Sequence, residues 1–184
     1  MSKDAIKASA ADVAVENTAL DAIQLLEADH RVARQLFDAF EKAADSDLEA
    51  KGTLARRACE VLTVHAMIEE KILYPAAHKA LDKDDEIDVD EAYVEHFLAK
   101  TLIEKFDSLK PGDHGFDATF KVLSEMVRHH IDEEESTLFP ELRESSVNLV
   151  RLGEEMVAEK DRLMKKLDAA GSKLVGDNSL TFQR

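Results

Sequence analysis

Apolar side chains recur at three- and four-residue intervals along most of this chain, the spacing that lines one face of an α-helix. The first such face runs Ala22, Leu25, Leu26, Asp29, His30, Ala33, Leu36, Phe37 and Phe40, ending near Ala44 before Asp45-Ser-Asp. Thr18 with Asp21 has the form of a capping box at its start. A second helix is predicted over 48–73, weakened early by Gly52, with Leu54, Ala58, Val61, Leu62, His65, Ile68, Glu69 and Ile72 on one face. Pro75 is expected to kink it, with helix resuming to about Ala80. A third helix is predicted over 89–109, with Ala92, His96, Ala99, Ile103 and Phe106 inward, stopping at Pro111-Gly112. A fourth covers 115–138, with Phe120, Leu123, Val127, His130, Ile131 and Glu134 inward, and an amphipathic fifth covers 145–169.

Short connections make sequential helices pack antiparallel. The expected fold is all-α: an up-down-up-down four-helix bundle over 18–142, preceded by a flexible arm at 1–17. A C-terminal helical segment at 143–170 packs on the bundle, and an irregular tail follows at 171–184. Composition agrees, with few glycines (6), prolines (3) and aromatics (5%), and no β-branched runs. The net charge of -15 argues against nucleic acid or an anionic membrane as partner. A single cysteine, Cys59, and the lack of an apolar run near the N-terminus suit a soluble cytoplasmic protein. A monomer or small homo-oligomer is expected.

The chemistry lies in a repeat. His65-Ala-Met-Ile-Glu69-Glu70-Lys-Ile-Leu73-Tyr74-Pro75 returns as His130-Ile-Asp-Glu-Glu134-Glu135-Ser-Thr-Leu138-Phe139-Pro140, both reading His-x-x-x-Glu-Glu-x-x-Leu-aromatic-Pro. Residues i and i+4 share a helix face, so each copy sets an imidazole beside a carboxylate. Aligning His30 with His96 also pairs Asp29 with Glu95, Ala33 with Ala99, Arg34 with Lys100 and Phe40 with Phe106. Helices one and two thus recur as three and four. At about 1.5 Å per residue, the histidines on either side of each turn reach similar depth in the bundle.

A lone His-x-x-x-acid pair carries little weight here, because four of the seven histidines have one. His78 with Asp82 and His129 with Glu133 fall outside the repeat register and read as chance. Any one of His30, His65, His96 and His130 alone reads more simply as a core histidine. Together they occupy apolar-face positions in two matched halves, with Glu69 and Glu134 pointing into the same face. Carboxylates are seldom buried unless paired or bound to metal. The set therefore reads as a two-metal site, the alternative being a bundle whose ancestral site has lapsed. The Leu-aromatic-Pro segments are expected to serve the core and helix ends. Asp29 and Glu95 are expected as surface charges, with an outer-sphere role the lesser alternative, and Arg34 and Lys100 as solvated. Glu70 and Glu135 are open between a solvated face and partners of the ligands. Tyr93 is expected in the core, with lining or ligating the site as the alternative, and Cys59 as inert.

Leu26-Glu-Ala-Asp-His30, His65-x-x-x-Glu69 with Leu-Tyr-Pro, Glu95-His96, and His130-x-x-x-Glu134 with Leu-Phe-Pro together resemble the HHE cation-binding branch of the hemerythrin-like family over about residues 20–142. The resemblance implies a four-helix bundle holding two iron ions in a non-haem, oxo- or hydroxo-bridged centre. One iron would take His30 and His65, the other His96 and His130, with Glu69 and Glu134 bridging. Zinc or manganese fits the same donors. Oxygen-carrying hemerythrins have a His-x-x-x-His pair on the third helix, where this chain has Lys100 four residues after His96, and their second carboxylate is an Asp one residue further on. Both departures weigh against reversible oxygen carriage.

The expected function is a di-iron protein that binds or reduces a small diatomic ligand or peroxide (O2, NO or hydrogen peroxide), with enzymatic turnover and simple binding both open. The alternatives are a non-catalytic iron or oxygen sensor, an iron-handling protein, and a zinc-bound structural bundle.

Overall fold

A computed structural model of the chain describes residues 20–81, 86–106 and 108–170. The expected arm at 1–17, with Thr18, and the tail at 171–184 lie outside the described residues. Helix α1 spans Ala22–Lys42 and α2 spans Leu48–Ile68. Then come a π turn at Glu69–Leu73 and α3 at Tyr74–Ala80. The second half repeats the scheme: α4 at Glu86–Phe106, α5 at Phe116–Glu133, a π turn at Glu134–Leu138 and α6 at Phe139–Glu144. Helix α7, Leu149–Ala170, packs along α1 and α2. The expected all-α bundle with an additional C-terminal helix is the fold observed, and among the described residues no helix is long and apolar enough to cross a membrane.

Three local expectations are corrected. The capping box at the start of α1 is Asp21 with Gln24, not Thr18 with Asp21: Gln24 N–H donates to Asp21 Oδ1 at 2.8 Å and Asp21 N–H to Gln24 Oε1 at 3.1 Å. Pro75 does not kink a regular helix. Its missing N–H and its ring are accommodated by the wider π turn before it, in which the Tyr74 N–H reaches five residues back to the Glu69 carbonyl. Pro140 follows an identical turn, with Phe139 N–H donating to the Glu134 carbonyl. Gly52 is also more than a weak point: a Cβ there would stand 2.6 Å from Pro111 Cγ, so the glycine lets the α4–α5 turn close over α2.

The core falls into two apolar clusters. One gathers Phe37, Phe40, Ala58, Leu62, Phe116, Phe120 and Leu123. The other gathers Ile23, Leu26, Ile68, Leu73, Tyr74, Val89, Phe139 and Leu142 with Met156, Leu163 and Leu167 of α7. Along every bundle helix the candidate ligands fall between residues of these clusters, so they form a polar layer with dry packing on both sides. At Gly153 of α7 a Cβ would lie 2.4 Å from the Leu20 carbonyl oxygen, so the glycine permits α7 to seat directly on the backbone leading into α1.

Candidate metal centre

Six side chains from four helices meet in the polar layer: His30 of α1, His65 of α2, His96 of α4, His130 of α5, and Glu69 and Glu134, each opening a π turn. All six are buried, the most exposed at 5%. The imidazoles meet in pairs through Nε2, His30 with His65 at 3.2 Å and His96 with His130 at 3.1 Å. The carboxylates link the pairs. Glu69 Oε2 lies 3.1 Å from His65 Nε2 and 3.4 Å from His96 Nε2. Glu134 Oε2 lies 3.3 Å from His30 Nε2 and 3.5 Å from His130 Nε2. Each carboxylate therefore touches one histidine of each pair, and donor atoms gather within 4.8 Å of one another in two groups, His30–His65–Glu69–Glu134 and Glu69–His96–His130.

The outward nitrogen of every one of these rings faces a carboxylate. His30 Nδ1 is 2.9 Å from Glu135 Oε1, His96 Nδ1 is 3.1 Å from Glu70 Oε1, and His130 Nδ1 is 2.7 Å from Glu95 Oε2. His65 Nδ1 lies 3.8 Å from Asp29 Oδ2, oriented toward it but beyond hydrogen-bond length. Such partners favour the tautomer with hydrogen on Nδ1 and turn the Nε2 lone pair inward. Cations back three of the four carboxylates. Lys100 Nζ donates to both Glu70 oxygens at 2.9 and 3.0 Å, Arg34 lies 3.5 Å from Glu135, and Lys160 of α7 pairs with Asp29.

The expectations for these outer residues are thus corrected. Asp29 and Glu95 are not surface charges but face the buried histidines, and Glu70 and Glu135 do the same. Arg34 and Lys100 are paired rather than merely solvated. Each outer carboxylate sits beside a candidate ligand in sequence yet reaches a histidine of a different helix, a contact that helical periodicity cannot show. Their recurrence in both halves was the available signal. Tyr93 packs in the core, its hydroxyl donating to the Glu70 carbonyl at 3.3 Å. Tyr74, expected to serve the core and helix end rather than the chemistry, stands inside the layer: its fully buried hydroxyl donates to Glu134 Oε1 at 2.9 Å and lies 3.3 Å from His96 Nε2. Phe139 holds the matching place in the other half and stacks on His30 at 5.6 Å between ring centres. His129, as expected, points away, pairing on the surface with Glu133 at 3.2 Å.

Burial pushes the Glu69 carboxyl well above its ordinary range, and the Glu134 charge adds to the effect. Burial also raises Glu134, but the imidazoles of His130 and His30 more than offset it and hold that carboxyl low. Desolvation pushes His65 down to about 4 and the Tyr74 phenol well above its usual value. Both oxygens of Glu69 and Oε2 of Glu134 are buried without a hydrogen-bond partner. Inward imidazole lone pairs beside partnerless carboxylate oxygens form a set of acceptors for which, among the described residues, the Tyr74 hydroxyl donates only to Glu134 Oε1. Imidazole and carboxylate donors suit a divalent first-row metal ion, so the residues present fit such a cation.

The Hemerythrin HHE cation binding domain family matches residues 21–142. A protein named DNA nickase, from Nostoc sp., is 32% identical over 108 residues, 58% of this chain and 30% of that protein. An uncharacterized hemerythrin-like protein of Schizosaccharomyces pombe is 33% identical over 79 residues, 43% of this chain and 39% of that one. The matched segments thus span about a third of these curated relatives' own length. The crystal structure of a hemerythrin HHE cation binding domain-containing protein from Mycobacterium kansasii superposes with a TM-score of 0.70 at 20% identity, over 86% of this chain and 96% of that one.

Proposed function

The chain belongs to the Hemerythrin HHE cation binding domain family, and from that premise we propose that it is a non-haem di-iron protein that binds or reduces a small oxidant: O2, NO or peroxide. The observation that carries this reading is the placement of Glu69 and Glu134. Each reaches one imidazole of each pair, as a carboxylate must to bridge two metal ions. In this reading His30 and His65 would hold one iron and His96 and His130 the other, with Glu69 and Glu134 placed to serve both. When bound, the iron pair supplies two-electron reducing power and open coordination positions.

The protein's own part is positioning and proton placement. The outer carboxylates Glu135, Glu70, Glu95 and Asp29 keep the rings turned inward and raise their basicity. Phe139 against His30 and the apolar clusters on both sides exclude water. The Tyr74 hydroxyl, donating to Glu134 Oε1, places a hydrogen-bond donor beside one of the two carboxylates. Among the described residues no further side chain with the reach of a general base enters the layer, so in this reading the chemistry rests with the metals.

A second reading, an occupancy sensor without turnover, is favoured by one contact: Lys160 on α7 pairs with Asp29, which faces His65. That contact connects the added helix to the ligand layer. A DNA-cleaving role like that in the Nostoc relative's name is not proposed, because a net charge of -15 opposes a polyanion.

The test is iron bound per chain after anaerobic ferrous loading and exposure to air. About two irons per chain, falling to nearly none in His65→Ala/His130→Ala, are expected, followed by peroxide and NO consumption above that of the metal-free protein. No retained iron in the unmodified chain overturns the di-iron reading, and retained iron without turnover shifts the balance to the sensor.

A further inference from the structure

The two halves of the repeat are not equivalent where they meet their surroundings. Asp88, Glu91, Glu95, Glu133 and Thr137 correspond in register to Ala22, Leu25, Asp29, Ile68 and Ile72. In the first half these positions are mostly apolar, and α7 covers them: Ala22, Leu25, Ile68 and Ile72 share one cluster with Met156 and Leu163. In the second half they line a cleft of about 80 Å3 whose floor includes His130 and Glu134. The same asymmetry appears at the outer carboxylates. Asp29, Glu70 and Glu135 each have a lysine or arginine beside them, whereas Glu95 has none among the described residues and instead stands in the cleft with Glu91 and Glu133.

Acidic residues at a surface are common and mark nothing alone. What distinguishes these is the group beneath them: Glu134 is 2% exposed, its Oε2 accepts no hydrogen bond, and it lines the same cleft. We propose that this cleft, with Asp88, Glu91, Glu95 and Glu133 at its rim, is the route by which a divalent cation reaches the buried cluster. The inference rests on the metal-binding reading of the layer and assigns it a mouth. Carboxylates in a low-dielectric cleft concentrate cations at its opening. Glu95 and Glu133, with His129, place donor atoms within 4.8 Å of one another, enough to hold a cation briefly on its way. Glu95 stands against the outward edge of the His130 ring, 2.7 Å from Nδ1, so a cation leaving Glu95 passes that ring to reach the inward Nε2 beside Glu134. Among the described residues the equivalent positions on the opposite face are covered by α7, and Lys160 occupies the carboxylate there.

The experiment is stopped-flow uptake of Co2+ by the full metal-free chain, followed by the visible absorption of bound cobalt, with stoichiometry read separately at equilibrium. The rim variant is Asp88→Asn/Glu91→Gln/Glu133→Gln, which leaves the six buried residues and Glu95 in place. Its charge-matched control is Glu49→Gln/Glu154→Gln/Asp161→Asn, on exposed faces elsewhere. The rim variant should load about tenfold more slowly with unchanged final stoichiometry, and Glu91→Lys more slowly still, while the control changes the rate less than twofold. Equal slowing in rim variant and control, or no slowing in the rim variant, overturns the route but leaves the centre intact. No cobalt uptake by the unmodified chain overturns both.

Discussion

Tyr74 donates its phenolic hydrogen to Glu134 at 2.9 Å, crossing from the first half of the repeat to the carboxylate of the second. The reciprocal contact does not exist, since the residue matching Tyr74 is Phe139, and Glu69 keeps both oxygens without a hydrogen-bond partner. One missing hydroxyl thus separates two carboxylates that share a motif. Replacing Tyr74 with Phe should lower the stability of the metal-free protein by about 1–3 kcal/mol, the value of a buried hydrogen bond to a charged group. Urea denaturation checks this. An unchanged midpoint would show that water takes the place of the hydroxyl.

Glu69→Gln should have opposite effects with and without metal. The folded-state pKa of Glu69 lies above its unfolded value of 4.5, so its contribution to stability is fully present below pH 4.5 and is lost as pH rises. The glutamine has no such dependence. The metal-free variant should therefore melt above the unmodified protein at pH 7, with the gap closing toward pH 4.5. With metal added, the order should reverse, because the variant loses a ligand. Melting curves at several pH values, with and without Fe2+, decide it.

Lys160→Met removes the cation that α7 places on Asp29, a largely buried carboxylate. Burial raises Asp29, and the contacts with His65 and Lys160 outweigh it, so its pKa lies below the ordinary value. Loss of the lysine should cost about 1–3 kcal/mol, and it should speed metal dissociation by releasing the orientation of His65. Dissociation into excess chelator measures the second effect. Unaltered dissociation beside lowered stability would leave Lys160 a purely structural clamp.

Glu159 anchors the same helix. Arg162 hydrogen-bonds it, with Nε to Oε2 at 2.7 Å, and against the opposing effect of burial this contact and Lys71 at 2.8 Å hold its carboxyl down to about 2. A folded pKa below the unfolded 4.5 gives stability that is present above pH 4.5 and disappears as pH falls toward 2. Glu159→Gln should lower stability at neutral pH by about 1 kcal/mol or less, with the difference vanishing near pH 2. Denaturant titrations across that window test the sign.

The layer of four histidines and two glutamates was legible in the sequence because its logic is intrahelical. An imidazole and a carboxylate one turn apart, repeated at fixed distance, need no knowledge of neighbours. What surrounds the layer depends on contacts between helices, and there the reading thinned. Glu95 is adjacent to one ligand histidine but serves another, His130; Glu70 follows Glu69 but holds His96. Tyr74 looked like a core aromatic because its position in the motif is shared with Phe139, which is one. The π turns left only a proline each as a trace, and a proline alone suggests a kink as readily as a widened turn. Lys160 lies so far along the chain that nothing local links it to Asp29.

The π turns govern more than the placement of two prolines. Each takes in one residue beyond what an α-helical path of the same rise would hold, which turns the chain beyond it by about 100°. His65 lies before that turn and Glu69 opens it; Leu73 and Tyr74 lie at or past its end, as do Leu138 and Phe139 in the second half. A chain shortened by a single residue within either segment would keep its helices and nearly all of its hydrophobic content. It would nonetheless swing Tyr74 off Glu134 or Phe139 off His30, so the angular register between the buried carboxylates and histidines and the aromatic rings beside them depends on a surplus residue that straight helices would not tolerate.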